Sequence, residues 1–335
     1  MKREIKKVLI TGVTGFVGSH LADYILEHHP EVEIIGMIRS WRSPVDNIKH
    51  IQYKIKLIEA DLEDFVSVDE LIRVQRPDVI FHLAAQSYVD YSFLAPVATL
   101  MPNVVGTCNL LEIVKMMKCN DRYDPIIHVC SSSEVYGQVD PENVPITEDC
   151  PMRPASPYAV SKVAEDMLAY QYFLSWGLRT IRTRMFTHTG PRRGDVFVCS
   201  TFAKQIAMIE AGLQKPIIRV GNLRSVRTFM DVRDAVKAYW LLVNQCPEGE
   251  VYNIGGNATM EVGKMLDILL LLSSERTIEV RIDLSRFRPS DVTLQIPSTE
   301  KFQKITRWRP EIAFSLTLQD LLDYWRRNVA IYNKV

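Results

Sequence analysis

Two segments of the chain hold side chains whose types and spacing could do chemistry together: 129–137, VCSSSEVYG, and 156–168, SPYAVSKVAEDML. Ser156 is a good helix N-cap and Pro157 suits the first helical position, so Tyr158 and Lys162 fall at i and i+4 on one helix face. A lysine ammonium beside a phenol favours the phenolate and draws a pKa of about 10 toward the range useful to a general base. Of all the tyrosines in the sequence, only Tyr158 has a lysine four residues on. The alternative is a solvated surface pair, but downstream of a glycine-rich turn and a serine-rich strand end the pair reads as catalytic. Ser131, Ser132 and Ser133 close a strand, and one of these hydroxyls can bond the reacting oxygen beside Tyr158. Glu134 is the unusual member. A simple alcohol oxidation needs no carboxylate there, whereas elimination of water needs a base for an acidic C–H and an acid for the departing hydroxyl. A solvated loop glutamate is the bland alternative.

The elements that must position these groups begin at KVLIT, which runs directly into TGVTGFVGSHLADYIL. Gly12, Gly15 and Gly18 stand as G-x-x-G-x-x-G between a strand and a helix. In that context the glycines permit a tight turn, close approach to a pyrophosphate and close helix–strand packing, while the helix N-terminus supplies N–H donors. The cofactor turn so defined runs from Gly12 through Thr14, Gly15, Phe16 and Val17 to Gly18. The second strand ends in GMIRSWRSP: Arg39 and Arg42 are present and no acidic residue is, which favours NADP over NAD. Surface arginines over an NAD site are the alternative.

Apolar runs KVLIT, EIIGMI, KLIEADL, DVIFHLAA and PIIHVCSS alternate with helical stretches near 19–28, 68–74 and 103–117. This pattern predicts an α/β fold, a doubly wound parallel sheet with helices on both faces. After about Phe186 the alternation loosens, and RTFMDVRDAVKAYWLLV reads as a strand-turn-helix returning to the first lobe. The expected division is a dinucleotide-binding domain over 1–186 with a return segment near 228–245, and a smaller discontinuous substrate domain over 187–227 and 246–335. A cleft is expected between them.

The composition is ordinary for a globular chain: 335 residues, 47% hydrophobic, 24% charged. Lys+Arg and Asp+Glu are 40 each, so no global field attracts nucleic acid or an anionic membrane, and an anionic ligand needs a local site. The six cysteines are scattered without a Cys-x-x-Cys pair, which predicts no disulfide framework, no metal site and a reduced, cytoplasmic setting. No apolar stretch reads as long enough to span a bilayer.

With these motifs in place, the chain resembles the nucleotide-sugar-modifying extended short-chain dehydrogenases/reductases, and within them the GDP-mannose 4,6-dehydratase group. The resemblance runs over nearly the whole length through LAAQSYVDYSF (83–93), CSSSEVYG, SPYAVSK, TGPRRGDVFV (189–198), VGNLRSVRTFMDVRDAV (220–236) and FRPSDV (287–292). The segment from Lys215, KPIIRVGNLRSVRTFMDVRDAVKAYWLL, also looks like the sister GDP-4-keto-6-deoxymannose reductases. The resemblance picks Ser132 as the hydroxyl beside Tyr158, puts Asp61 and Leu62 at the adenine, and lets the nicotinamide lie against Leu83, Ala84 and Ala85. It makes Arg192, Arg219, Arg227 and Arg288 the candidates for the nucleotide diphosphate, Asn222 and Asp291 for ribose or base, Gln86 and Ser87 for the hexose, and Phe197 and Val198 for the guanine. Two departures stand out. Thr187 replaces an asparagine usual in the family, and Ser132 a threonine, so a GDP-manno-heptose is a candidate substrate beside GDP-mannose. A homodimer or homotetramer is expected by the same analogy.

The function expected is therefore a GDP-sugar 4,6-dehydratase with a recycled nicotinamide, in which Tyr158 takes the 4-hydroxyl proton, Glu134 the C5 proton, and Glu134 or Ser133 helps water to leave. The rivals are a GDP-4-keto-6-deoxy-sugar reductase or a GDP-sugar 4-dehydrogenase, in which Glu134 is idle, and a non-catalytic nucleotide-sensing protein on the same fold.

Overall fold

The computed structural model describes residues 4–332. Its strands are β1 (Lys7–Thr11), β2 (Glu33–Ile38), β3 (Lys56–Glu59), β4 (Val79–His82), β5 (Ile126–Ser132), β6 (Arg179–Met185), β7 (His188–Thr189), β8 (Ile217–Val220), β9 (Val226–Asp231), β10 (Val251–Ile254), β11 (Ala258–Glu261), β12 (Glu279–Ile282) and β13 (Leu294–Gln295). The helices are α1 (Phe16–His28), α2 (Phe65–Gln75), α3 (Val89–Leu94), α4 (Pro96–Leu100), α5 (Gly106–Asp121), α6 (Pro157–Trp176), α7 (Val198–Glu210), α8 (Val232–Gln245), α9 (Val262–Leu272), α10 (Glu300–Thr306) and α11 (Phe314–Tyr332).

Seven strands form one sheet in the order β10-β6-β5-β4-β1-β2-β3, every pair parallel. Successive residues of β1 bury on opposite faces: Val8 and Ile10 join Leu21 and Ile25 of α1 and Tyr239 of α8, while Leu9 joins Leu110 and Val114 of α5 and Ala169 of α6. Two buried faces explain why these strands read as unbroken apolar runs. The strand order reverses between β1 and β4, and the crevice beyond their C-terminal ends is where ligands bind in such sheets. Gly12, at φ +71°, closes that point: a Cβ there would stand 3.0 Å from the Ala84 Cα, and one on Gly18 would collide with the Gly12 carbonyl.

The second lobe is built on β11-β9-β13, with β7 also beside β9, and on the pair β12-β8. Helices α7, α9 and α11 close over it in a separate apolar cluster containing Phe202, Leu266 and Leu322. β9 passes straight into α8 with no intervening turn. Asp231 caps that helix, accepting from the Arg233 N–H at 2.8 Å. Two pieces assigned above to the second lobe pack in the first. β10 extends the main sheet, and Tyr252, Ile254, Phe302 of α10 and Trp308 all lie in the core under α1 and α8. The edge of β6 needed a further parallel partner, and sequence alternation alone did not show which strand supplies it.

Contrary to the reading of no long apolar stretch, residues 96–121 make a 26-residue helical run that includes an 18-residue stretch of mean hydropathy 1.4. Its inner side, including Leu111, Ile113 and Met117, is fully buried against the sheet, α2 and α6, which makes it a core helix of this fold.

Helix α6 is fixed by charge as well as by packing. Asp166, fully buried, accepts from Arg182 Nη1 at 2.8 Å and Arg184 Nε at 2.9 Å, both on β6. Asp166→Ala leaves two buried guanidinium groups facing an uncharged methyl, and a loss of about 3–5 kcal/mol is expected. Urea unfolding should show a lower midpoint, and an unchanged midpoint would contradict this view of what holds the helix.

Candidate active site

The catalytic segments meet at the C-terminal edge of β5. The chain leaves that strand through a 3-10 turn, Ser133–Tyr136, and returns beneath it at Gly137, φ +61°, where any Cβ would strike the Arg153 carbonyl. Tyr136 anchors the turn, donating to Asn253 Oδ1 at 2.7 Å and accepting from Arg184 Nη1 at 3.0 Å. Across from it α6 starts at Ser156, whose hydroxyl accepts from the Ala159 N–H at 3.1 Å. Ser131 Oγ donates to the Lys162 carbonyl at 3.0 Å, stitching the helix to the strand. Of the three serines, Ser131 is thus structural, and the Ser132 hydroxyl lies close enough to the Tyr158 phenol to lower its pKa. Ser132 Oγ also accepts from the Glu134 N–H at 3.2 Å.

Tyr158 and Lys162 are both buried. Burial pushes the phenol above its ordinary pKa, while the Lys162 ammonium and the Ser132 hydroxyl pull it down. The Lys162 Nζ donates to the Cys130 carbonyl at 2.8 Å and to Glu165 Oε2 at 2.7 Å. Glu134, partly exposed, accepts from Gln295 Nε2 at 3.2 Å, and Ser133 Oγ donates to Gln295 Oε1 at 3.3 Å. One amide therefore holds the two candidates for elimination chemistry side by side. Gln295 reaches them because β13 pairs with β9, setting it against Arg227, and because the Ile146 N–H donates to the Ile296 carbonyl and the Ile146 carbonyl accepts from the Ser298 N–H, which ties the loop after the turn to the segment after β13. Glu134 also lies in the field of Arg227.

Around this centre the polar candidates separate. Asn222 Nδ2 and Ser225 Oγ both donate to Asp291 Oδ2, at 2.7 and 3.1 Å, and Arg227 lies 3.9 Å from Asp291 Oδ1. Arg227 also donates to the Val226 and Val292 carbonyls, and its side chain is 11% exposed. Arg288 pairs with Asp90 at 2.5 Å, beside Tyr88. Arg219 stands apart on β8, 59% exposed, with Asp283 4.0 Å away. Ser87 and Val198 are exposed, while Thr187 and Phe197 are partly buried. The Thr187 carbonyl accepts from the Met230 N–H at 3.1 Å.

Two candidates are committed elsewhere. Arg192 donates to Asn47 O, His20 Nδ1 and Asp23 Oδ2, so it fastens the second lobe to α1. Gln86 uses its amide on Tyr88 O, Thr99 Oγ1 and the Tyr88 N–H, holding its own loop. Arg193 lies over the Phe197 ring at 3.5 Å and the Phe16 ring at 5.0 Å. No carboxylate pairs with Arg193 among the described residues, and burial lowers its guanidinium to about 10.

The cofactor residues converge at the same crevice. Arg193 brings its charge to Phe16, the first residue of α1, whose N-terminus already favours an anion. His188 stacks on Phe16 with ring centroids 5.8 Å apart, and its Nε2 is buried with no partner among the described residues, as is the Thr189 hydroxyl. Burial and Arg193 pull His188 down to about 3, so it is a neutral donor or acceptor. An unpaired cation, orphaned polar atoms and a glycine turn together fit a dinucleotide. Leu83 and Ala84 are held there by their N–H groups, each donating to Thr11 Oγ1 at 3.0 Å, and Ala85 follows, partly buried. Asp61 caps a turn at the Glu63 N–H, and the Leu62 carbonyl accepts from Asn109 Nδ2 at 2.9 Å. Thr14 and Val17 lie in the turn and first helical turn, and Arg39 is exposed at the end of β2. Of these contributors, Arg193, His188 and Gln295 escaped the sequence reading. The arginine doublet was a signal without a way to choose between its members, and the lone glutamine gave none.

Comparison with known proteins agrees with this geometry. A relative from Pseudomonas aeruginosa, a GDP-6-deoxy-D-mannose reductase, is 31% identical over 97% of this chain and 98% of its own. A GDP-mannose 4,6 dehydratase from Arabidopsis thaliana is 32% identical over 95% of this chain and 86% of its own. The solved structure of RMD from Pseudomonas aeruginosa complexed with NADPH superposes with a TM-score of 0.82 and 31% identity, covering 96% of this chain and 99% of that one. The family model for GDP-mannose 4,6 dehydratase matches residues 9–321, and with the glycine turn, the Tyr158–Lys162 pair and the Glu134 cleft in one crevice, the chain belongs to that family.

Proposed function

We propose that the protein is a GDP-sugar 4,6-dehydratase, converting GDP-mannose or a related GDP-manno-sugar to its 4-keto-6-deoxy product. The observation that carries this reading is the Ser133–Gln295–Glu134 contact: a carboxylate held beside a hydroxyl in the cleft that also holds Tyr158 and Lys162. Oxidation or reduction at C4 alone has no use for such a group. A nicotinamide, with NADP favoured by Arg39 and Arg42, supplies a store for the electron pair removed at C4 and returned at C6. Gly12, Gly15, Gly18 and the N-terminus of α1 hold its diphosphate in this reading.

The residues act in sequence. Tyr158 takes the proton of the 4-hydroxyl while Ser132 bonds the forming carbonyl oxygen, and Lys162 stabilises the phenolate from which the step starts. The ketone acidifies the C5 proton. Glu134, held in place by the Gln295 N–H, removes it. Ser133 or Glu134 then delivers a proton to the departing 6-hydroxyl, and when the stored hydride is returned to C6 the resulting enolate takes a proton at C5 that derives from solvent. Arg227 and Arg288 serve the nucleotide diphosphate, and the Asn222–Asp291 pair the ribose or base. The reductase reading draws on one specific observation, the relative that shares nearly its whole length with this chain.

No disulfide joins the six cysteines, which supports a reducing, cytoplasmic setting. Exposed Val97, Met101 and Val105 on one helical run and Val160, Met167, Tyr170 and Leu174 on α6 support a homodimer or homotetramer. Sedimentation should give a dimer or larger, with Met167→Asp shifting it toward monomer, and a native monomer would refute the assembly.

Incubation of purified protein with GDP-mannose, without added nicotinamide, should yield a sugar nucleotide lighter by one water in mass spectrometry. Glu134→Gln should abolish the loss. An unchanged mass for the native protein, together with stoichiometric NADPH oxidation on a GDP-4-keto-6-deoxy sugar, would replace the dehydratase with the reductase.

A further inference from the structure

Lys162 is paired in a way that the Tyr-Lys motif does not require. Glu165 lies one turn on along α6, is 1% exposed, and its Oε2 takes a hydrogen bond from Lys162 Nζ at 2.7 Å. Its other oxygen, Oε1, is buried without a partner among the described residues. Burying a carboxylate with half its acceptors unused is costly, and a structural role is already filled by the adjacent Asp166, whose two oxygens are satisfied by Arg182 and Arg184. An ammonium has three N–H donors. The Cys130 carbonyl and Glu165 occupy two of them, which leaves a single donor for the reacting centre.

We propose that Glu165 is a positioning residue for the Tyr158–Lys162 pair: it holds the ammonium so that one donor remains for ligand and phenol, and its negative charge tempers the field that Lys162 exerts on Tyr158. The inference rests on Tyr158 being the base of the proposed reaction, and applies equally to the reductase reading. The groups around the pair are few. On α6 they are Tyr158 and Asp166. On β5, Cys130 and His128 face Lys162, with His82 from β4, while Arg193 and the Tyr239 phenol of α8 act on Tyr158 and are unchanged by a substitution at Glu165. Both histidines are fully buried and held neutral near 3, and Cys130 is occupied by Tyr239 of α8 at 3.0 Å. Glu165 is thus the one neighbour of Lys162 here that titrates near neutrality, because burial pushes it up to about 7 against the pull of the ammonium.

The sign follows from the charges. Glu165 raises the phenol's pKa and Lys162 lowers it, so neutralising Glu165 leaves the ammonium uncompensated and makes Tyr158 ionise at lower pH. Glu165→Gln keeps the size and an acceptor for Lys162. The ultraviolet phenolate signal of Tyr158, isolated by subtracting the titration of the same protein carrying Tyr158→Phe, should move down by about one pH unit in Glu165→Gln, the order expected for one charge removed at the effective dielectric of a protein interior. The acid limb of the turnover profile should move in the same direction. A merely structural glutamate would lower turnover at every pH and leave both midpoints in place, and unmoved midpoints, or a rise, would overturn the proposal. The spectroscopic titration uses no substrate, so a failure here is separable from a failure of the dehydratase reading.

Discussion

The placement of α6 against the end of β5 is the constraint on which the site depends. That helix carries both Tyr158 and Lys162, and it must stand within a hydrogen bond of a strand end whose hydroxyls and carbonyls complete the chemistry. Apolar packing alone would allow it to slide or rotate. Buried polar ties do not: Asp166 fixes it to two arginines of β6, Ser131 bonds the Lys162 carbonyl, Asn103 Nδ2 bonds Ser161 Oγ at 2.9 Å, and Lys162 grips the Cys130 carbonyl. Each bond is directional and would be lost in any other register, so the helix has one well-defined seat.

The same economy of polar groups runs through the rest of the cleft. The second lobe contributes to chemistry by presenting β13, a strand of two residues, so that Gln295 can bridge Ser133 and Glu134. It also presents Arg193 between two aromatic rings at the start of α1, with no competing carboxylate among the described residues. Its other arginine, Arg192, joins the lobes by binding α1, which keeps the turn around Gly12 and the catalytic edge of β5 in fixed relation. Thus adjacent residues of one sequence motif divide the work of holding the protein together and holding its ligand.

The parts legible in the sequence were those whose signal is local. Strands KVLIT and EIIGMI coincide with β1 and β2, the glycine turn follows from strand-then-helix context, and the Tyr-Lys pair from helical spacing and a cap. The parts that were not legible depend on long-range pairing. β10 joining the edge of the main sheet, Gln295 arriving across 161 residues, and the diversion of Gln86 and Arg192 to structural bonds leave no local periodic trace. Glu165 was visible in AVSKVAEDML, yet nothing in the spacing distinguishes it from Asp166, and only burial and bonding show that one faces Lys162 and the other β6.

The central claim is that Glu134 abstracts a proton from the carbon beside the new ketone. The most direct measurement is turnover of GDP-mannose in deuterium oxide, with the product read by proton nuclear magnetic resonance at C5 and C6. The account predicts one solvent deuterium at C5 of a 6-deoxy product. A 6-deoxy product that keeps its original hydrogen at C5, or a product oxidised at C4 with the 6-hydroxyl intact, would contradict it.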